Sequence, residues 1–412
     1  QRHATAGVSC REGDVGERVG VVWDDRFSAY DFGSGHPMAP VRVQLAMRLA
    51  AEFGLLTLPG VQIIGPVDPA EDVVLLRVHE AAYIDAVRRA SDDPQFYDSG
   101  RGLGTADDPV FPGMHEASAR IAQGSRLAAL AVQSGEVDHG VNLAGGLHHA
   151  MPGAAEGFCV YNDAAVAIAA LLDGGAERVA YLDIDVHHGD GVQAIFWDDP
   201  RVLTISVHES PASLFPGSGW PHETGGSRAP GSVVNVALPA GTGDQGWLRA
   251  IHAVVPDILN EFDPQFLVSQ HGVDTHFEDP LAHLLVSVDG QRMAFEAVHR
   301  WAHRYAGGRW IALGGGGYEW VDVVPRAWAH LIAEAAGAPI DPQAELPAGY
   351  HEFVLEALGR QSPGRMTDGR QPWPRPFDQG FNPDDAVDQA ILTAREATFP
   401  RFGLTPEPGL WF

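Results

Sequence analysis

Tyr181-Leu182-Asp183-Ile184-Asp185-Val186-His187-His188-Gly189-Asp190-Gly191 decides how this chain is read. The stretch opens as an apolar strand, Arg178 to Ile184, and ends in carboxylates and imidazoles. Alternate side chains of a strand point the same way, so Asp183, Asp185 and His187 share a face if the strand stays extended. Three such groups converging where a buried strand ends are costly unless something binds them. A metal ion is the simplest partner. One Asp and one His beside an open position suit a catalytic zinc or iron better than a closed structural site. The plainer alternative is that these residues cap a helix starting near Gly191, since Asp is a good N-cap.

Working outward, short apolar runs alternate with helical periods. Strands are predicted at Val19 to Trp23, Val61 to Ile64, Val141 to Ala144, Val202 to Val207, Val233 to Leu238, Phe266 to Ser269 and Trp310 to Leu313. Helices are predicted over Val41 to Phe53, His79 to Ala90, Met114 to Gln133, Tyr161 to Leu172, Trp247 to Phe262 and Gly290 to Tyr305. The alternation predicts a single α/β domain, a parallel sheet with helices on both faces. Ligands of such sheets sit beyond the carboxyl ends of the strands. The polar clusters fall there: His148-His149, Asp185 with His187, Asp274 and Tyr318. We place the domain at residues 18–340, after an N-terminal extension, 1–17. Residues 341–412 form a Pro-rich C-terminal extension packed on it, with one amphipathic segment near Asp384 to Ala397.

Composition narrows the function. The chain has 412 residues, 45% of them hydrophobic, enough for a large core. There is no apolar run of membrane-spanning length, and Gln1 to Cys10 lacks the apolar centre of a signal peptide. Cys10 and Cys159 are the only cysteines, too few for a disulfide framework, which points to a reducing cytoplasm. A net charge of −27 argues against a nucleic-acid partner, which needs a basic footprint. It favours solubility and weakly attracts basic substrates.

Asp185, His187 and Asp274 make a three-ligand metal site with room for water, and such a metal polarises a carbonyl and acidifies its water. His148 and His149 would place two imidazoles beside that water. Each needs a carboxylate to fix its tautomer, and Asp183 and Asp190 are the nearest in sequence. One imidazole acting as general base is worth roughly 10²–10⁴-fold. Tyr318 follows Gly314 to Gly317, whose freedom lets the phenol swing inward to steady an oxyanion. The four glycines lack the Lys-Ser/Thr ending of a phosphate-binding P-loop. The assembly is that of an amide hydrolase.

These pieces resemble the zinc-dependent histone deacetylase family of the arginase/deacetylase superfamily, and are most similar to its bacterial acetoin-utilization (AcuC-type) deacetylases. The resemblance runs in order through Gly33 to Met38, Gly102 to Gly104, Phe111 to Glu116, Gly145 to Ala150 and Gly157 to Cys159. It continues through Asp183 to Gly191, Phe215 to Gly219, Gln270 to Pro280 and Gly314 to Tyr318. It implies Zn2+, or Fe2+, on Asp185, His187 and Asp274. His149 resembles the general base and His148 its partner imidazole, with Asp183 and Asp190 as their carboxylates. Tyr318 resembles the carbonyl-polarising tyrosine. Phe158 and Phe215 resemble the walls of an acyl-lysine tunnel, Gly157 the carbonyl that accepts the substrate amide, and Leu281 a leucine at the tunnel mouth. Asp107, with Asp108 as its alternative, stands where a rim aspartate holds the substrate backbone. Asp183, Asp185, His187, Ser206 and Val207 fall where the family holds a structural monovalent cation, K+ or Na+.

Leu147 stands where many eukaryotic members carry tryptophan, and His271 and His276 flank Asp274 where their pattern is less polar. No long insertion separates Trp23 from His36, the place where polyamine deacetylases of the family narrow their entrance. The expected substrate is therefore acetyl-lysine, or a lysine with a related short acyl group, in a protein or peptide. An acetylpolyamine or other acetylated small amine is the alternative. An arginase-like ureohydrolase would need further carboxylates for a second metal. A non-catalytic acyl-ligand binder would have lost a ligand, a histidine or the tyrosine, and none is missing. His36, His79, His115, His208 and His222 are expected to be structural or surface histidines, and Cys159 a small buried hydrophobe.

Overall fold

The computed structural model describes residues 16–408. Cys10 and residues 1–15, most of the expected N-terminal extension, lie outside the described residues. The strands are β1 (Val19–Val22), β2 (Val61–Ile64), β3 (His139–Asn142), β4 (Val179–Asp183), β5 (Val202–Glu209), β6 (Val233–Leu238), β7 (Phe266–Gln270) and β8 (Trp310–Leu313). The helices are α1 (Val41–Glu52), α2 (Asp72–Leu75), α3 (Ala81–Asp92), α4 (Met114–Gln133), α5 (Asp163–Asp173) and α6 (Asp190–Phe196). They continue with α7 (Asp244–Phe262), α8 (Val288–Ala306), α9 (Val324–Ala335), α10 (Ala348–Leu358) and α11 (Ala386–Thr398).

All eight strands are parallel, in the order β2-β1-β3-β8-β7-β4-β5-β6. The expected α/β class is the one observed. Strands β1, β3, β4, β5, β7 and β8 are buried from end to end, so they read as apolar runs rather than alternating patterns. Four adjacent central strands, β3, β8, β7 and β4, release the four polar clusters from the same edge. That adjacency is what the fold does for the site. It brings together residues separated by up to 170 positions at the carboxyl ends of the sheet.

Three local readings change. Strand β4 ends at Asp183, so Asp185 and His187 lie in the turn beyond it and the two-residue period does not orient them. Strand β3 sits two residues earlier than expected, because His139 pairs with both Val19 and Trp310 and fixes the register. Helix α9 is unforeseen: every residue of Val324–Ala335 is buried, and its polar stripe, Arg326, His330 and Glu334 at four-residue spacing, is packed inside the protein and not turned to solvent.

The C-terminal segment is tied to the core by ion pairs. Asp388 of α11 pairs with Arg249 of α7 at 2.5 Å, both side chains being buried. Asp368 takes Arg326 of α9 at 2.9 Å and His276 at 3.0 Å, two residues beyond Asp274. Among the described residues, no helix is long and apolar enough to cross a membrane.

Candidate active site

The loop after β3 carries the tandem histidines. It is pinned by the buried Asp163 at the start of α5, whose carboxylate accepts the N–H groups of Gly146 and Leu147 at 3.0 and 2.7 Å. His148 Nδ1 bonds Asp183 Oδ2 at 2.7 Å, and His149 Nδ1 bonds Asp190 Oδ1 at 2.7 Å. The two rings lie 4.0 Å apart, centroid to centroid. Asp183 also accepts the Tyr181 hydroxyl at 2.8 Å and the Asp185 N–H at 3.1 Å, three donors converging as an ionised carboxylate requires. Burial alone would lower the His148 imidazole, but the charges of Asp183 and Asp185 outweigh it and lift it to about 9. For His149, burial is reinforced by His148 and His187, and the ring is held well below its usual range. Burial also pushes Asp190 up to about 7, and its 2.7 Å bond to Nδ1 occupies that nitrogen. With Nδ1 so engaged, Nε2 of His149 is left as its basic atom.

Asp185, His187 and Asp274 come together with one donor atom each, all within 4.8 Å of one another. All three are buried. His187 Nδ1 lies 3.1 Å from Asp274 Oδ2 and 3.4 Å from Asp185 Oδ1. Burial of His187 is outweighed by these two carboxylates, which raise it to about 10, while burial and Asp185 push Asp274 up to about 6. Two buried carboxylates here demand positive charge. The donor set, two oxygens and one imidazole nitrogen, fits a zinc-type or ferrous ion with an open position. The surrounding backbone fits it too. A Cβ on Gly272 would collide with Asp185 Oδ2, and one on Gly316 with Asp274 Oδ2, so glycine is what lets the carboxylates occupy the cradle. Gly316 N–H and Val186 N–H bond the carboxylates of Asp185 and Asp274 at 2.8 and 3.1 Å and fix their direction.

Tyr318 follows the glycine turn, half-buried, its ring edge-on to Phe158 with centroids 5.7 Å apart. Burial, with Asp274 and Asp185 nearby, raises its phenol well above the usual range, so it keeps its proton. Phe215 stands edge-on to His149, centroids 5.0 Å apart, and is 41% exposed. Gly157, with φ +56°, lies against the His149 ring, and its carbonyl accepts the Cys159 thiol at 3.2 Å. Leu281 is half-buried, in a turn held by Asp279. Asp107 is exposed and its Oδ2 accepts the Gly157 N–H at 3.0 Å, whereas Asp108 is buried and burial pushes its carboxyl up to about 8. Of the two alternatives, Asp107 is the one at the surface.

Ser206 pairs in register with Asp183, which places it and Val207 beside the Asp183 to His187 turn. The Ser206 hydroxyl contacts His208 Nδ1 at 2.8 Å. The helix-capping alternative is not what these residues do. Helix α6 starts at Asp190, preceded by Gly189, with no side-chain cap. His36, His79, His115 and His208 bond backbone carbonyls or a tyrosine hydroxyl, and His222 stacks on Trp220.

Two residues of the site escaped the reading of the sequence. Arg42 of α1 is buried and its Nη1 donates to the carbonyls of Gly315 and Gly317 at 2.8 and 3.2 Å, holding the turn before Tyr318. Asp279 accepts the Tyr318 N–H at 2.8 Å. The only sequence signal for Arg42 was a charge between Val41 and Val43 on an otherwise apolar helix face.

Residues 36–335 match the histone deacetylase domain family. The chain is similar to the acetoin utilization protein AcuC of Bacillus subtilis (strain 168), 41% identical over 328 residues, which cover 79% of this chain and 84% of that protein. It is likewise similar to AcuC of Staphylococcus xylosus, 37% identical over 333 residues, covering 80% and 86%.

Proposed function

The chain belongs to the histone deacetylase family and is a deacetylase, and from that premise we propose that it hydrolyses acetyl-lysine in proteins or peptides. The observation that carries the reading is the pairing of two histidine–aspartate dyads with the Asp185, His187 and Asp274 cluster inside one buried cradle. Zn2+ or Fe2+ held by Asp185, His187 and Asp274 would supply Lewis-acid polarisation of the amide carbonyl and acidify a water.

The chain's own residues do the rest. His149 Nε2 takes a proton from the attacking water, and Asp190 steadies the imidazolium that results. As the C–N bond breaks, that proton passes to the amine nitrogen, and acetic acid and the free amine leave, the acid then giving its proton to solvent. His148 stays charged against Asp183 and supplies a fixed positive field. Tyr318 donates its hydroxyl to the developing oxyanion. Phe158 and Phe215 flank the lysine methylenes, Leu281 lines the mouth, and the Gly157 carbonyl receives the substrate amide N–H. Asp107, at the surface, takes the substrate backbone. Asp183, Asp185, His187, Ser206 and Val207 would hold K+ or Na+ as a structural ion beneath the turn. The chain's two cysteines, with Cys159 free and buried, support a cytoplasmic location.

The test is turnover of an acetyl-lysine peptide by the purified chain, with metal analysis, for wild type and Asp274→Ala. Removing one carboxylate should lower bound metal and activity together. An Asp274→Ala protein with full metal content and wild-type turnover overturns the site.

A further inference from the structure

A second cluster of metal-type donors lies at the other edge of the sheet. Glu17, His139, His299 and His303 each offer one donor atom, and these atoms lie within 4.8 Å of one another. Glu17 leads into β1, His139 opens β3, and His299 and His303 sit one turn apart near the end of α8. All four therefore meet at the amino-terminal edge of the parallel strands, opposite the edge that carries the catalytic candidates.

The spacing is that of ligands rather than of chance neighbours. Four donors placed tetrahedrally about 2.0–2.1 Å from a zinc ion lie about 3.3 Å from one another. His299 Nε2 and His303 Nε2 are 3.1 Å apart, and His303 Nε2 is 3.2 Å from Glu17 Oε1. His299 Nε2 and His139 Nε2 lie 3.7 Å from the Glu17 carboxylate oxygens. Closing the set onto one ion needs side-chain shifts of about an ångström.

An independent observation concerns His139 itself. Its side chain is fully buried, and its Nδ1 bonds the Ala335 carbonyl at 2.6 Å. A carbonyl only accepts, so Nδ1 carries the hydrogen and Nε2 presents its lone pair to the cluster. Nε2 has no hydrogen-bond partner. A buried acceptor that faces a carboxylate and two more imidazoles, and has no donor to satisfy it, stands as a metal ligand stands.

The ligands are also held in advance. Arg18 and Asp138, the sequence neighbours of Glu17 and His139, form a two-pronged pair with contacts of 2.6 and 3.1 Å. The His299 ring stacks on Trp310, centroids 5.4 Å apart and planes 16° apart. The His303 side chain is 44% exposed, which leaves an ion a way in from solvent.

We infer that Glu17, His139, His299 and His303 bind one divalent transition-metal ion of the zinc type, through three imidazole Nε2 atoms and a carboxylate oxygen, clamping the lead-in to β1 onto β3 and α8. Three nitrogens and one oxygen in a closed tetrahedral set suit Zn2+ and spectroscopic Co2+, and leave no open position for catalysis.

The experiment uses the full chain carrying Asp274→Ala, stripped of metal, so that the catalytic cluster is disabled. Co2+ is titrated and the visible d–d bands are followed, then Zn2+ is added. Intense tetrahedral bands should saturate near one Co2+ per chain, and Zn2+ should abolish them and raise the Tm. Adding His303→Ala, or His299→Ala with His303→Ala, should remove both the bands and the Tm shift. The same histidine changes in the otherwise native chain should leave deacetylase turnover within about twofold, which shows that the fold survives. If the Asp274→Ala chain gives no tetrahedral bands, or gives them equally with and without His303, the cluster is a hydrogen-bonded knot and the inference is wrong.

Discussion

Asp279 Oδ2 accepts the backbone N–H of Tyr318 at 2.8 Å, and Asp279 Oδ1 accepts that of Leu281 at 3.0 Å. One buried carboxyl thus ties the proposed oxyanion tyrosine to the residue proposed at the tunnel mouth. Asp279→Ala leaves both N–H groups without that acceptor, at a cost of about 1–3 kcal/mol each where water cannot replace it. Because Asp279 acts through Tyr318, the expected loss is in kcat, about 10-fold and below the roughly 10²–10³-fold for deleting an oxyanion donor. Asp279→Asn, which keeps one acceptor oxygen, should recover part of it. Steady-state kinetics on an acetyl-lysine peptide decide the point. A change confined to KM would show that Asp279 shapes the entrance and not the phenol.

Tyr318→Phe removes one hydroxyl and almost no volume. The neighbouring Phe158 ring keeps its edge-on partner, so the tunnel wall persists. Metal content and Tm should be unchanged while kcat falls by roughly 10²-fold or more. A variant with near-normal kcat would show that the phenol does not polarise the carbonyl.

The contacts of Asp368 predict how stability follows pH. Burial alone would raise this carboxyl, but His276 and Arg326 outweigh it and hold it well below the usual range. A group with a depressed folded pKa contributes stability above its unfolded value, near 3.9, and loses it as pH falls through the folded one. At pH 6 the contribution is fully present, and Asp368→Asn should cost about 1–2 kcal/mol, a charge-assisted bond discounted for its partial exposure. Near pH 3 the gap between variant and wild type should narrow. Urea unfolding at both pH values measures it, and a constant gap would mean that the loss is packing and not charge.

Much of this was legible in the sequence, for reasons that particular residues make plain. Buried parallel strands such as Val233–Leu238 and Trp310–Leu313 are short apolar runs, and the polar residues begin where the runs stop. What the strand period could not supply was the convergence of Asp185 with His187, because the chain leaves the sheet at Asp183. There the turn, not the pleat, aims the side chains, using N–H groups of Val186 and Gly316. Arg42 and Asp279 were illegible because they act on backbone atoms, and Arg42 reaches across more than 270 positions to do so. No local pattern marks a side chain whose partner is a distant carbonyl. The second cluster was missed for a similar reason: only its His299–His303 spacing is local, and i, i+4 histidines on a helix are common without a metal.

The last prediction concerns what the entrance selects. Any acetylated amine presents the same acetamide to His149 and Tyr318, so discrimination must arise at the rim. The rim offers Asp107, exposed and braced by the Gly157 N–H at 3.0 Å, on a loop that also contacts His36 through its carbonyl. Asp108 cannot share the task, since it is buried and its carboxyl is pushed up to about 8. A peptide has backbone N–H groups to give to an exposed carboxylate, whereas a polyamine has only its cationic amines. Charge-assisted bonds of that kind are worth about 1.5–3 kcal/mol, or roughly 10- to 150-fold, before solvent screening. We therefore expect kcat/KM for an acetyl-lysine peptide to exceed that for acetylputrescine and acetylspermidine, and Asp107→Ala to shrink the ratio mainly through KM. Asp108→Asn should leave the ratio alone. A clear preference for the polyamines would sink the assignment of peptide substrates, and an unchanged ratio in Asp107→Ala would remove this residue from the rim.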